Sequence, residues 1–99
     1  MTHQQAATTL NQLGGKRFTL MTGAKNFSLG KNSISFKIGR GAKNGINHIE
    51  ITLNSEDTYS ITFARLHGTN YTIKGGVVGI YFDQLKAVFT EYTGFYTSL

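Results

Sequence analysis

The chain has no cysteine, no proline and no tryptophan among its 99 residues. Without cysteine there is no disulfide framework, no thiolate nucleophile and no Cys-ligated zinc. Without proline, the breaks between elements fall to glycine and asparagine. Charged residues are few, at 15%, against 39% hydrophobic residues. That balance excludes a disordered body, which carries more charge and less apolar surface. The longest apolar stretch, Val77 to Phe82, is broken by Gly79 and far too short to span a bilayer. Residues 2–12 are polar and predict no secretory signal. The expectation is one small soluble intracellular domain covering residues 1–99, with no membrane partner.

Acid is missing from the whole first half. Residues 1–49 hold Lys16, Arg17, Lys25, Lys31, Lys37, Arg40 and Lys43, and neither Asp nor Glu. Residues 50–99 hold Arg65, Lys74 and Lys86 against Glu50, Glu56, Asp57, Asp83 and Glu91. The net charge of +5 is therefore lopsided. A basic half attracts polyanions: nucleic acid, an acidic protein face or an anionic membrane. A solubility charge with no partner is the plain alternative, since this total is ordinary for a small domain.

The pattern of apolar residues predicts the fold class. Thr2 with Gln5 matches a capping box, Ala6, Leu10 and Leu13 follow at helical spacing, and Gly14-Gly15 ends the helix. From Arg17 the period becomes two. Strands are expected at 17–20, 33–38, 48–54, 59–64 and 71–74, each with one apolar and one polar face. Short polar connections, among them Asn44-Gly45 and Gly68-Thr69-Asn70, suit hairpins. Phe82, Leu85, Phe89 and Tyr92 then recur at helical spacing, with Val88 beside them and Gly94 as the stop. Phe95, Tyr96 and Leu99 are expected to fold back onto the core. The fold class is α+β: a five-stranded antiparallel meander with an N-terminal and a C-terminal helix packed on one face.

Gly39-Arg40-Gly41-Ala42-Lys43-Asn44-Gly45 is the richest local signal for chemistry. Glycines let backbone N–H groups approach an anion, and Arg40 and Lys43 add charge. His67 is expected near this loop and strengthens it only when protonated. No Gly-Lys-Ser/Thr follows, so this is not a Walker loop, and a strand rather than a helix follows it. A flexible hairpin with solvated charges is the plain alternative. Gly-Ala-Lys-Asn occurs twice, at 23–26 and 41–44. With a strand at 17–20, the two copies fall at opposite ends of the sheet and form no common site.

The open face is expected to show Arg17, Thr19, Ser35, Lys37, His48, Glu50, Thr52, Thr62, Thr72 and Lys74. By parity Phe18, Phe36, Tyr59, Phe63 and Tyr71 point to the apolar face, which argues against base stacking on the sheet. Gly75, Gly76 and Gly79 suit a bulge or tight turn. His3, His48 and His67 lack metal spacing, and no acid–base or nucleophile–base pair stands out. Neither a catalytic site nor a cofactor is expected. Aromatic residues crowd the last quarter, and any left exposed would mark a homodimer or partner interface.

Leu13-Gly14-Gly15, Phe18, Met21-Thr22-Gly23-Ala24-Lys25-Asn26-Phe27, Ile51-Thr52-Leu53-Asn54, Asp57-Thr58-Tyr59 and the ending Phe89 to Leu99 resemble a family of small proteins encoded by bacteriophages, prophages and other mobile elements. No established activity comes with that family, so it supplies no functional residues. It implies a phage accessory protein in a bacterial cytoplasm. Two functions follow as expectations. One is a non-enzymatic module contacting nucleic-acid phosphates, with weak sequence preference, through Lys16, Arg17, Lys37, Arg40, Lys43 and His67. The other is an anti-defence inhibitor, in the manner of anti-CRISPR proteins, that docks on a host protein complex through the same residues.

Overall fold

A computed structural model describes residues 1–96. Its elements are α1 (His3–Leu13), α2 (Lys16–Thr22), β1 (Lys25–Leu29), β2 (Ser33–Lys37), β3 (His48–Leu53), β4 (Tyr59–His67), β5 (Asn70–Ile80) and α3 (Leu85–Thr93), with 3-10 turns at Lys43–Gly45 and Phe82–Gln84. The strands form one antiparallel sheet in the order β1-β2-β3-β4-β5. The α+β meander with terminal helices is thus the observed fold.

Local chemistry sets the ends of the helices. The Thr2 side chain accepts from the Gln5 amide at 3.1 Å, and the Gln5 side chain accepts from the Thr2 amide at 2.9 Å. Gly14, at φ 127°, closes α1, and Gly94, at φ 78°, closes α3. One core lies between sheet and helices. Ile34, Phe36, Ile49, Ile51, Ile61 and Phe63 meet Leu13, Phe18, Leu85 and Phe89 there, all essentially without exposed surface. Phe18 packs edge-on against Phe36 at 5.7 Å and Phe89 at 5.1 Å, and Phe63 stacks on Tyr92 at 4.6 Å. Phe95 is half-buried against this core, whereas Tyr96 is exposed, and Leu99 lies outside the described residues.

Three expectations are corrected. Arg17 to Leu20 is not a strand but part of α2. Phe18 and Thr22, four apart, are its buried positions, and Leu20 stands 84% exposed. Alternation would bury Leu20 together with that pair, whereas helical spacing turns it outward. The first strand is β1, so Arg17 and Thr19 sit in the helical layer and not on the open face. Phe82 precedes α3 and is exposed at 58% rather than facing the sheet.

The third correction concerns β5. Phe63 pairs with Gly75 but Ala64 pairs with Ile73, so Lys74 is an extra residue, a β-bulge. A one-residue shift transfers every following side chain to the other face. Tyr71 pairs with Leu66, and Ile73 with Ala64, on the side of His48 and Glu50. Tyr71 therefore lies on the open face, 46% exposed, and not in the core. A second irregularity between Tyr59 and Ile61, with Gly79 at φ 70°, lets Val77 and Ile80 both turn inward.

Candidate functional site

The end of the sheet where β2 leaves and β3 begins holds a cleft of about 760 Å³. Its walls come from three places: the α2–β1 turn, the β2–β3 loop, and the far end of β4. Thr22 at the end of α2 accepts a hydrogen bond from the Gly39 amide at 2.7 Å, which clamps the first wall to the second. A Cβ on Gly23 would approach the Gly39 nitrogen to 3.2 Å, so glycine there permits the close backbone crossing. Asn47 joins the second wall to the third. Its side chain donates to the Leu66 carbonyl at 2.9 Å and accepts from the Leu66 amide at 2.7 Å. Arg65 reaches over the loop and donates to the Gly45 carbonyl at 3.2 Å.

Both copies of Gly-Ala-Lys-Asn meet at this end, which corrects their expected separation. Gly23, Lys25 and Asn26 line the cleft from one copy, and Gly41 and Ala42 from the other. The copies also share a backbone shape. Gly23 and Gly41 have φ of 70° and 101°, and Asn26 and Asn44 have φ of 58° and 57°. Asparagine tolerates this left-handed region better than other side chains.

The charged residues that line the cleft are Lys25, Lys37, Arg40 and Arg65, with His67 beside them; no carboxylate lines it among the described residues. Of the residues expected from sequence, Lys37, Arg40 and His67 are brought together here. Lys16 and Arg17 are on α2, exposed and away from the cleft. Lys43 is turned outward: its ammonium donates to the Glu91 carbonyl at 3.2 Å and its stem lies against Gly94. Lys25 and Arg65 were not expected at the site. The repeated tetrapeptide carries the signal for Lys25, but a strand at 17–20 would place that copy at the opposite end.

The open face adjoins the cleft. Lys25, Lys37, His48, Ala64 and Ile73 form one cross-strand row over all five strands. The His48 ring meets Tyr71 edge-on at 5.6 Å, and Ala64 beneath them has no exposed surface. His48 Nδ1 is buried without a hydrogen-bond partner. Burial holds the His48 imidazole below its usual pKa; Glu50 opposes that shift and Lys37 adds to it. Burial, then Glu50, pushes the Tyr71 phenol above its usual value.

Among the described residues no three potential metal ligands converge, and no helix is long and apolar enough to cross a membrane. No family model matches the chain, and comparisons with curated proteins and with solved structures found no match.

Proposed function

We propose that the chain is a non-enzymatic binding module of a phage or other mobile element, and that it holds nucleic-acid phosphates in the cleft. One observation carries this reading: Lys25, Lys37, Arg40 and Arg65 converge on a single concave surface that no acid among the described residues lines. Clustered cations raise the local potential and draw in a polyanion, and neutralised phosphates release their counterions. Phosphate contacts position a nucleic acid without reading its sequence, so sequence preference is weak.

The test is fluorescence anisotropy with mixed-sequence DNA and RNA at two salt concentrations. Four phosphate contacts predict a slope of log affinity against log salt of about −3 to −4. The variant Lys37→Ala/Arg40→Ala/Arg65→Ala should lose most of the affinity, while Lys16→Ala/Arg17→Ala should retain it. No binding in low salt at about tens of micromolar protein, well within the usual range for non-specific contacts, removes the reading.

A second reading, an inhibitor docked on a host protein complex, is favoured by Leu20. It stands exposed beside an apolar groove between α1 and α2 lined by Ala7, Leu10 and Thr19. Retention of a host protein after nuclease treatment, and its loss in Leu20→Glu, would support docking over nucleic-acid contact.

A further inference from the structure

Resting on the phosphate-binding reading, we propose that the preferred ligand is a single strand, whose phosphates enter the cleft while a base stacks on Tyr71. The argument begins with the bulge at Lys74. Regular alternation would put Tyr71 on the core side; the extra residue delivers it to the open face, 46% exposed. Ile73 beside it is 65% exposed, and the His48 ring packs edge-on against Tyr71 at 5.6 Å. Edge-on packing props the tyrosine ring from one side and leaves part of its surface open to a flat partner.

Position joins this ring to the cleft. Tyr71 pairs with Leu66, whose backbone is held by the Asn47 side chain, and both Asn47 and the neighbouring His67 line the cleft. Lys37 lines the cleft and also pairs with His48, which touches Tyr71. A chain that lays phosphates on Lys25 and Lys37 thus continues over His48 towards the exposed ring. Unpaired bases offer a free π-face to such a ring, and stacked bases inside a duplex do not. A cationic track beside an aromatic platform is the combination that single-strand binders use.

The experiment compares a fluorescein-labelled single strand of about twelve nucleotides, a usual site length, with a duplex of the same length, at fixed salt. Oligodeoxyuridine and oligouridine, which differ only at the 2′ position, are run in parallel, and the tighter of the two names the preferred sugar. The single strand should bind more tightly than the duplex. Tyr71→Ala should weaken single-strand binding by about five- to hundredfold and leave duplex binding unchanged, and Tyr71→Phe should restore it. Thermal melting of each variant checks that the fold is retained. Equal affinity for both ligands with no effect of Tyr71→Ala overturns the stacking proposal while leaving phosphate binding intact. Absence of binding to either ligand overturns both.

Discussion

Gly75 shows how little room the core leaves at single positions. A Cβ there would lie 2.8 Å from the Tyr92 ring, and that ring is stacked on Phe63 at 4.6 Å. Gly75→Ala must push the stack apart, at a cost of about 1–3 kcal/mol, measurable as a lower urea midpoint. Tyr59 makes a polar link of the same scale. Its hydroxyl donates to Gln12 at 2.9 Å and lies 3.2 Å from the Thr9 hydroxyl, tying α1 to β4. Tyr59→Phe should destabilise by about 1 kcal/mol. His48 gives a pH dependence. Its folded-state pKa is lowered by burial, so the unfolded chain binds its proton first as pH falls. Its contribution is complete above the ordinary imidazole range and is lost as pH drops through the lowered folded value. Urea midpoints should therefore fall between about pH 7 and 5, and His48→Gln should flatten that part of the profile.

At the level of elements, long periodic segments were readable and short or irregular ones were not. The core residues of β2, β3 and β4 alternate over enough positions to fix their inward face, and α1 is marked at both ends by Thr2, Gln5 and Gly14. The seven residues of α2 make barely two turns, too few for helical spacing to outweigh a local alternation of apolar and polar residues. A strand at 17–20 hides one cleft residue, Lys25. Lys37, Arg40 and His67 are legible because they lie at the ends of strands that alternation finds or just beyond them; Lys25 is not. Arg65 lies beyond the expected end of its strand, in the stretch where β4 continues to His67. Bulges leave no mark in simple parity, so alternation alone places Tyr71 in the core. The bulge itself supports a prediction. Deleting Lys74 would restore regular pairing with Ile73 still opposite Ala64 and Tyr71 opposite Leu66. The deletion variant should fold and bind single strands nearly as the parent does.

Across the whole molecule, charge is segregated more finely than by halves of the chain. The cleft gathers basic residues from three separate segments, including Arg65 from the half with net negative charge. Glu56 and Asp57 occupy the turn between β3 and β4, at the other end of the sheet, and Glu91 is on α3. Glu50 is on the open face, between Ser35 and Thr62 in the cross-strand row next to that of His48. Reversing it, Glu50→Lys, removes an acid from the row next to the cationic one. Affinity for a labelled oligonucleotide should rise at low salt, and the gain should shrink as salt screens it.

The strand order β1-β2-β3-β4-β5 also bears on how the chain reaches this state. Each strand pairs only with its immediate predecessor and successor, so the sheet can close hairpin by hairpin with small loops. Local pairing of this kind lowers the entropic barrier to assembly. With no prolyl bond, the refolding chain also has no isomerisation step lasting tens of seconds. Stopped-flow refolding from urea should then run as one exponential, without a slow tail that a prolyl isomerase could accelerate.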